Sequence, residues 1–383
     1  MNAFVRFKTF LHYAWLFAGR VVKEKRRWRA VSQKGYNQAR VFFGHERIPD
    51  RSQNSGGAII KLQDLTDVFP NTLRDANLLY LINSAMPVYA PVMVREARQR
   101  GALFVLNQNG VAYAGWHGPG WERLNRPMRY LLRNADFVIY QSRFCKLGAD
   151  KFLGTCRVPW KILYNPVDTR VFVPPDKKPA GLRILLAGSH QHFYRVKIAI
   201  EMLAQLRAHF PQAVLTVAGR YSWKKSDGEC VSEARSWAES LGVGKNVVLK
   251  GPYSQKEAVA LFQSCHVLLH TKYNDPCPRL VVEGMACGLP VVYSASGGVP
   301  ELVGADAGIG IQTPLDWEMD HPPNPQKLSE AVCRVLENHE RFSRAARKRA
   351  ADRFDVRNWI KEHESVFQHL LQKRLARRRQ TST

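Results

Sequence analysis

Short apolar segments rich in β-branched residues alternate with segments of helical periodicity from about residue 38 onward. In the first half, the strand-like segments are Ala39–Gly44, Ala58–Leu62, Asn77–Ile82, Leu103–Leu106, Phe137–Tyr140 and Ile162–Tyr164. In the second half, they are Leu182–Ala187, Val214–Ala218, Asn246–Leu249, His266–His270, Leu289–Tyr293 and Ile309–Ile311. The helical patterns between them are Ala90–Arg100, Arg123–Asn134, Arg195–His209, Ser232–Leu241, Gln255–Gln263 and Arg279–Cys287. Buried strands that alternate with helices predict parallel sheets with helices on both faces.

A segment rich in Pro and Lys, residues 173–181, separates the two series of strands. We therefore predict an α/β protein with two Rossmann-like domains, residues 36–172 and 173–354. Ligands of such sheets bind beyond the carboxyl ends of the strands, so we expect the site in a cleft between the domains. Tandem α/β domains host many chemistries, and this architecture alone does not identify a function.

The net charge of +25 is concentrated near the two ends of the chain. On a helical projection, positions 4–23 place most aromatic and aliphatic side chains on one face and most basic ones on the other. This pattern is typical of a helix that lies in a membrane interface, and we predict that residues 1–35 bind an anionic membrane surface. The alternative is a basic helix docked on the protein itself. No nucleic-acid-binding motif lies between the basic ends, so we expect no nucleic-acid partner.

Seven cysteines are present, with no C-x-x-C spacing. The odd number and the scattered positions indicate free thiols in a reducing compartment, with neither a disulfide framework nor a zinc site. The sequence also has no run of about 20 apolar residues that would span a membrane. We expect a cytoplasmic protein that is peripheral on the inner face of the membrane.

Residues 265–304 carry the most informative pattern. A strand ends at His270, a loop follows, and a helix begins near Arg279. The prolines at 276 and 278 suit a helix entrance, where free amides and the helix dipole form an anion site. Asp275 and Glu283 are eight residues apart, so both carboxylates can accept hydrogen bonds from one polyhydroxylated ligand.

This block resembles the retaining family 4 glycosyltransferases of GT-B architecture. Their signature is Glu-x7-Glu, then small-Met-Ala-Cys-Gly-x-Pro-Val-Val and Gly-Gly-x-Pro-Glu. In this chain the pattern is matched by Asp275, Glu283, the segment 285–292 and the segment 297–301. Residues 165–172 are similar to the family's interdomain Asn-x-Val-Asp-x-x-x-Phe motif. The resemblance covers about residues 140–355 closely and 36–140 in outline.

The resemblance implies that Glu283 binds the ribose of a nucleotide-sugar donor and that Asp275 binds the transferred sugar. Asp275 replaces the longer Glu, which shortens its reach by about one CH₂ group. The implied donor-binding segment at the helix entrance also includes Pro276, Cys277, Pro278, Arg279 and Leu280. The alternative interpretations are a helix-surface carboxylate for Glu283 and a helix N-cap for Asp275.

The family places an Arg and a Lys after the first strand of the second domain to neutralise the donor diphosphate. This chain has Gly188 and then Ser189 where that Arg stands, so the implied substitute is Arg195, near the usual Lys position, with Lys197 as the second choice. A diphosphate leaving group needs such cationic stabilisation. Solvated first-turn side chains are the alternative. The implied base-binding loops contain Gly219, Arg220, Gly251, Pro252 and Tyr253.

In the first half, Ser55–Ala58 resembles the family's glycine-rich loop, which makes Gly56 and Gly57 candidates on the acceptor side. Asn109 stands where the family often has His, and Tyr113 and His117 follow it. An ordinary turn, core aromatics and a surface histidine are the alternatives for these residues.

No Asp-x-Asp pair occurs, so we expect a metal-independent reaction without a cofactor. The resemblance implies transfer with retention of configuration to a sugar or lipid-linked acceptor, as in the biosynthesis of envelope polysaccharide or lipopolysaccharide. It also implies that a final helix, residues 355–372, crosses back to the first domain before a basic tail. A GT-B sugar-nucleotide epimerase and a catalytically silent sugar-nucleotide-binding protein remain as alternatives.

Overall fold

The computed structural model describes residues 17–32, 35–51 and 56–381, apart from the side chains of residues 378 and 381. Of the amphipathic segment predicted at positions 4–23, residues 4–16 lie outside the described residues, as does Ser55 of the predicted glycine-rich loop.

The first half of the described chain forms a parallel sheet in the order β1-β2-β3-β4-β5. Its strands are β1 (Val41–Phe42), β2 (Leu78–Ile82), β3 (Leu103–Gln108), β4 (Phe137–Tyr140) and β5 (Trp160–Ile162). Its helices are α1 (17–29), α2 (Gly57–Thr66), α3 (Ala90–Gln99), α4 (Ala114–His117), α5 (Trp121–Asn134) and α6 (Arg143–Phe152).

The second half forms another parallel sheet, in the order β11-β10-β9-β6-β7-β8. Its strands are β6 (Arg183–Ala187), β7 (Val214–Ala218), β8 (Val247–Gly251), β9 (Val267–His270), β10 (Val291–Ala295) and β11 (Gly308–Gln312). Its helices are α7 (Tyr194–Leu206), α8 (Asp227–Ser240), α9 (Gln255–Gln263), α10 (Arg279–Ala286), α11 (Val299–Val303), α12 (Pro325–Glu337) and α13 (His339–Phe354). Strand order reverses between β6 and β9, where a doubly wound sheet opens its crevice.

The parallel α/β architecture predicted from the sequence is confirmed. The central strands are buried on both faces, which explains why their sequences are continuously apolar. The predicted strand Ala58–Leu62 is wrong, because these residues lie in helix α2. Leu62, at the end of that segment, and Leu65, beyond it, follow helical spacing, and both are buried in the core of the first domain.

Helix α1 is anchored at its carboxyl end. Trp28 is fully buried, and its indole nitrogen donates a 2.9 Å hydrogen bond to Glu24 Oε1. Earlier in the helix, Phe17 and Val22 are exposed. The alternative of docking on the protein therefore holds for the last turn of α1. Within the described ranges, no helix combines the length and the hydropathy needed to cross a membrane.

A final long helix, α14 (Val356–Thr381), returns to the first domain. Phe367 is fully buried there, with its ring 5.2 Å from that of Phe69. The helix enters through a short pairing of Val167 with Asp355, which joins the interdomain motif to the end of α13. This helix thus packs across both halves of the molecule.

The loop after β11 also ties the two domains together. Trp317 inserts between side chains of the first domain, with its ring stacked 4.9 Å from Phe144 and edge-on to Tyr113 at 4.9 Å. Next to it, the Gly115 amide donates a 2.8 Å hydrogen bond to the Trp317 carbonyl oxygen. A β-carbon on Gly115 would lie 2.9 Å from the backbone nitrogen of Met319, so this approach requires glycine.

We predict that Trp317→Ala lowers the free energy of unfolding by about 3 kcal/mol, because it removes a buried aromatic side chain and leaves a cavity. Urea denaturation followed by tryptophan-independent circular dichroism measures this change. The control is Leu315→Ala in the same loop: Leu315 is 56% exposed and should change stability by less than about 0.5 kcal/mol. Equal effects of the two substitutions would contradict the anchoring role of Trp317.

Candidate functional site

The carboxyl ends of three neighbouring strands bring glycine backbones together. Gly188, Gly219 and Gly251 follow or end β6, β7 and β8, and all three have positive φ angles. The Gly219 amide donates a 2.7 Å hydrogen bond to the Gly251 carbonyl oxygen. A β-carbon on Gly219 would lie 1.8 Å from the Gly188 carbonyl oxygen. Only glycine fits at this close approach.

Arg195 lies at the start of α7, directly beside this backbone. The side chain is 2% exposed, and its Nη1 donates to the Ser189 carbonyl oxygen. The Nε atom is buried without a hydrogen-bond partner among the described residues. Burial lowers the pKa of Arg195, and the negative charge of Asp275 acts in the opposite direction. A buried guanidinium with an unused donor is suited to bind an anion.

Asp275 is the carboxylate at the centre of the site. Its Oδ2 lies 3.3 Å from Nε2 of His270, at the end of β9, and 3.4 Å from Nζ of Lys272. Burial alone raises the pKa of Asp275, but Lys272, His270 and Arg195 outweigh it and hold the pKa well below its usual range. Asp275 is therefore a charged, 13% exposed carboxylate beside Lys272 and His270.

Glu283 lies on α10, one helical turn after Arg279. It belongs to an ion-pair chain that crosses the domain boundary. Arg279 donates from Nε to Glu283 Oε1 at 2.8 Å and from Nη1 to Asp64 Oδ2 at 2.8 Å. Asp64, on α2 of the first domain, also accepts a 3.0 Å hydrogen bond from Arg51 Nη1. Burial raises the pKa of Glu283, and Arg279 partly offsets this rise. The sequence analysis missed Asp64, since it assigned the preceding segment to a strand.

Hydrogen bonds from both domains hold the backbone of the loop between β9 and α10. Ser142 Oγ donates to the Pro276 carbonyl oxygen at 2.7 Å, and the Gly298 amide donates to the Asp275 carbonyl oxygen at 2.8 Å. A β-carbon on Gly298 would lie 2.0 Å from the Pro276 carbonyl oxygen. A β-carbon on Gly297 would lie 2.4 Å from the Asp275 carbonyl oxygen. The Gly-Gly motif is therefore required for this loop to pack.

Other parts of the same sequence signature also contact the first domain. Both carboxylate oxygens of Glu301 accept hydrogen bonds from the first amides of α6, those of Arg143 and Phe144, at 2.8 and 2.9 Å. The Cys277 carbonyl oxygen accepts a hydrogen bond from Asn165 Nδ2. The signature motif thus fixes the interface between the domains as well as the candidate site.

A cavity of about 240 Å³ lies between the two domains. From the first domain it is lined by Asn109, Tyr113, Trp116 and His117, among others, and from the second by Lys272, Asn274, Pro276 and Trp317. The Asn109 and Asn274 side-chain oxygens are buried without partners among the described residues. Unpartnered polar atoms beside aromatic rings suit a polar ligand with apolar faces, such as a sugar ring.

Three of the predicted acceptor-side residues line this cavity. Asn109 donates from Nδ2 to Ser84 Oγ. Tyr113 is buried, and its amide donates to His117 Nδ1 at 3.4 Å. Burial lowers the pKa of His117, so the imidazole is neutral near pH 7. The other two predicted residues, Gly56 and Gly57, are exposed at the start of α2 and do not line the cavity.

The predicted base-binding loops lie at the carboxyl ends of β7 and β8. Arg220 and Pro252 are exposed. Tyr253 lies near Glu283 and Arg195, and burial raises its pKa. Leu280, in the first turn of α10, is close to Gly188: a β-carbon there would lie 2.8 Å from the Leu280 Cδ2 atom. These positions flank Arg195 and Glu283 on one side of the cleft.

The structure contradicts the prediction for Lys197. Its Nζ lies 4.6 Å from the centroid of the Trp237 ring and 3.9 Å from Glu201 Oε1, on the side of α7 that faces α8. Two residues along a helix correspond to a rotation of about 200°, so Arg195 and Lys197 project in opposite directions. Lys197 therefore does not join Arg195 in the site.

Lys272 is the cation that lies beside Asp275, and the sequence analysis missed it. Its Nζ lies 4.5 Å above the ring of Trp116, which belongs to the first domain. The signal available in the sequence was a lysine three residues before Asp275, in the loop directly beyond a buried strand. A cation that contacts both Asp275 and Trp116 is fixed by both domains.

Lys61 was also missed by the sequence analysis. It lies on α2, is 2% exposed, and is close enough to Asp64 and Arg279 for their charges to act on it. Burial lowers the pKa of Lys61 to about 8. Across residues 17–32, 35–51 and 56–381, no three side chains of His, Cys, Asp or Glu are grouped closely enough to hold a metal ion.

Comparison with known families identifies the second half of the chain. Residues 172–350 match the family described as Glycosyl transferases group 1. This match covers the segments that carry Arg195, Asp275 and Glu283. The match is compatible with the family 4 resemblance of the sequence analysis.

Curated relatives match over shorter stretches. The chain is 30% identical over 168 residues to a D-inositol 3-phosphate glycosyltransferase of Stackebrandtia nassauensis, covering 40% of this chain and 37% of the relative. It is 25% identical over 229 residues to the human alpha-1,3/1,6-mannosyltransferase ALG2, covering 54% of this chain and 51% of the relative. The chain thus spans between about a third and half of the length of these two relatives.

Solved structures match over most of the chain. Anabaena HepE in complex with UDP-glucose has a TM-score of 0.67 at 18% identity, covering 86% of this chain and 99% of that one. Sucrose-phosphate synthase from Thermosynechococcus elongatus has a TM-score of 0.63 at 17% identity, covering 83% and 77%. These likenesses confirm the predicted GT-B fold.

We predict that Lys61→Met raises the free energy of unfolding at pH 7 by on the order of 3 kcal/mol, since a charged amine no longer has to be buried. A lowered lysine pKa means that the unfolded state binds more protons between about pH 8 and the normal lysine pKa. The free energy of unfolding of the wild type therefore rises with pH over this window. The stability advantage of Lys61→Met over the wild type shrinks accordingly.

Urea denaturation at pH 7 and at pH 10 measures this difference. The control is Lys256→Met on α9, where the lysine is exposed, and it should leave stability unchanged at both values. A difference between Lys61→Met and wild type that grows with pH would contradict the assignment.

Proposed function

We propose that this chain, whose residues 172–350 belong to the Glycosyl transferases group 1 family, transfers a sugar from a nucleotide-sugar donor to a sugar or lipid-linked acceptor of the cell envelope. One observation carries the proposal: the charged Asp275 lies 3.4 Å from Lys272 at the carboxyl end of β9, and the charge of the buried Arg195, just after β6, also acts on it. These three residues provide one polar acceptor for sugar hydroxyls and two cations for a diphosphate.

The proposed donor lies along α10. Glu283 accepts hydrogen bonds from the ribose hydroxyls, and the glycine backbone at 188, 219 and 251 gives the base and ribose room to approach. The first amides of α10, with the positive end of its dipole, add to the field of Arg195 at the diphosphate. Two solved neighbours support this reading, since the Anabaena HepE structures contain UDP or UDP-glucose.

The proposed reaction retains the anomeric configuration and needs no metal. The bond between the anomeric carbon and the diphosphate oxygen breaks, and a bond from that carbon to the acceptor hydroxyl oxygen forms on the same face. The departing diphosphate oxygen takes the acceptor proton. Arg195 and Lys272 stabilise the charge that develops on the leaving group, and this is the role that a metal ion has in other transferases.

The proposed acceptor site is the 240 Å³ cavity, which opens beside Asp275. Tyr113, Trp116 and Trp317 give the cavity an aromatic lining, and the unpartnered Asn109 side-chain oxygen can accept a hydrogen bond from an acceptor hydroxyl. We place His117, which also lines the cavity, beside the acceptor hydroxyl. Because both domains line the cavity, domain closure would exclude water and limit hydrolysis of the donor.

The exposed apolar residues of α1, Phe17 and Val22, lie on a helix with several basic side chains. This favours peripheral attachment to an anionic membrane, and we propose that the enzyme works there on the inner face. A lipid-linked acceptor at that surface would come within reach of the cleft.

The test of function is a thermal-shift screen of the purified chain against UDP-, GDP-, ADP- and CMP-sugars. A ligand that binds only the folded state raises the melting temperature according to RT ln(1 + [L]/Kd). We expect one nucleotide class to raise it, and Glu283→Ala to abolish that rise. No shift with any donor, or an equal shift in Glu283→Ala, would contradict the proposed donor site.

Turnover of the identified donor then separates the alternatives. A transferase consumes the donor and releases nucleoside diphosphate only when a membrane glycolipid extract is added, whereas an epimerase converts the donor without an acceptor. A silent binding protein shows a thermal shift but no turnover in either assay. Either of the last two results would contradict the proposed transfer.

We predict that Lys272→Met lowers kcat by about 10²-fold or more, because one of two cations at the leaving group is lost. Lys197→Met is the matched control, since it removes the same charge from the opposite face of α7 and should change kcat by less than about threefold. Steady-state kinetics with saturating donor gives both values. Equal losses in the two variants, or a larger loss in Lys197→Met, would contradict the assignment of Lys272.

A further inference from the structure

Helix α2 of the first domain contacts the second domain next to the proposed ribose site. Gln63 Oε1 accepts a 3.4 Å hydrogen bond from Gln255 Nε2, at the start of α9. Asp64 Oδ2 accepts a 2.8 Å hydrogen bond from Arg279 Nη1, at the start of α10. Two adjacent residues of α2 therefore reach two different helices of the second domain, and one of these contacts is an ion pair.

Asp64 binds two guanidinium groups, one from each domain. Its side chain is only 6% exposed, so its negative charge needs partners within the protein. Arg51 Nη1, from the first domain, donates to Oδ1 at 3.0 Å, and Arg279 Nη1 donates to Oδ2. Each oxygen of the carboxylate therefore has its own arginine. Asp64 is fixed by its own domain and in turn fixes the position of Arg279.

Arg279 transmits this contact to Glu283. Its Nε donates to Glu283 Oε1 at 2.8 Å. An arginine side chain has many rotamers, and a second carboxylate on Nη1 fixes the plane of its guanidinium group. The fixed guanidinium then holds one oxygen of Glu283 in place. Among the described residues, no hydrogen bond is made to the other oxygen, Oε2, which is therefore free to accept a ribose hydroxyl.

The charge of Asp64 also limits how Arg279 binds Glu283. Without Asp64, Nη1 of Arg279 would lose its carboxylate, and Glu283 would be the remaining acidic partner of this guanidinium among the described residues. Arginine frequently binds both oxygens of one carboxylate through two parallel hydrogen bonds. Such a pair would occupy Oε2 and compete with a ligand. Asp64 therefore holds Glu283 in place and keeps one of its oxygens available.

We propose that Asp64 is a positioning residue for the donor: through Arg279 it holds Glu283 in the orientation that binds the ribose hydroxyls. Asp64 belongs to the first domain and Glu283 to the second, so recognition of the ribose depends on the contact between the domains. This inference rests on the proposed donor site at Glu283. It adds a residue that touches no ligand itself and lies outside the signature segment, residues 265–304.

The test measures whether the protein distinguishes a ribose from a sugar that lacks both ribose hydroxyls. The probes are UDP, GDP, ADP and CMP, each paired with its 2′,3′-dideoxy counterpart. Isothermal titration calorimetry gives the dissociation constants, and the pair whose ribose form binds wild type most tightly is used for the variants. The readout is the ratio of the two constants on one protein preparation, so the fraction of folded protein cancels.

Asp64→Asn is compared with Asp67→Asn. Asp67 lies just after α2 and receives a 2.7 Å hydrogen bond from Nη2 of the same Arg51, but it is 65% exposed. Its substitution removes the same charge beside the same arginine and leaves the contact between Asp64 and Arg279 in place. Circular dichroism melting checks that both variants fold.

We expect wild type and Asp67→Asn to bind the ribose form about tenfold more tightly than the dideoxy form, or better, as for hydrogen bonds to a charged group. In Asp64→Asn the ratio falls below about threefold, because the ribose form binds more weakly while the dideoxy form binds as before. A purely structural role of Asp64 would weaken both forms alike and leave the ratio unchanged.

A double variant, Asp64→Asn with Arg279→Gln, removes both charges of the interdomain ion pair and serves if Asp64→Asn alone does not fold. Both substitutions interrupt one chain, so their effects are not additive and the ratio again stays below about threefold. A ratio equal to that of wild type in this variant would overturn the proposal.

Two contrary results have different meanings. If wild type distinguishes the two forms and Asp64→Asn does so equally, the positioning role of Asp64 is wrong, while the donor site at Glu283 stands. If wild type binds both forms equally, or binds none of the four nucleotides, the ribose site at Glu283 is wrong and the role of Asp64 is rejected with it.

Discussion

The arrangement of the cleft depends on one buried charge, that of Asp275. Burial alone would raise the pKa of this carboxyl group and disfavour its charged form. Lys272 and Arg195 keep it charged, and Trp116 of the other domain holds Lys272 in place. The same positive groups that stabilise Asp275 are those that we propose to stabilise a diphosphate. Asp275 therefore needs these cations with or without a substrate. This explains why the Arg195 guanidinium is buried although not all of its hydrogen-bond donors have a partner among the described residues.

A second constraint is that the domain interface and the candidate site share one set of residues. The Gly-Gly turn packs on the backbone of the Asp275 loop, and Glu301 accepts hydrogen bonds from the first amides of α6. Arg279 joins Glu283 to Asp64 across the boundary. A movement of one domain against the other would change the environment of Glu283 directly. We infer that binding of the donor and closure of the domains are coupled through this ion-pair chain.

Much of the fold was predictable because parallel sheets leave a strong local signal: strands buried on both faces are continuously apolar. The exception, at residues 58–62, was a short apolar run whose periodicity could not be judged without the residues that follow it. For the site, Asp275, Glu283 and Arg195 were predicted from one continuous motif and one nearby helix. Lys197 was predicted from its proximity in sequence to Arg195, but helical rotation places it on the other face.

The residues that were missed are those brought in by tertiary structure. Asp64 and Lys61 reach the site from α2, more than 200 residues before Arg279, and no local pattern marks them. The most direct test of the central claim is a crystal structure with the sugar nucleotide that gives the largest thermal shift. The account predicts the diphosphate within hydrogen-bond distance of Arg195 and Lys272, with ribose hydroxyls on Glu283. A diphosphate bound away from both cations would contradict it.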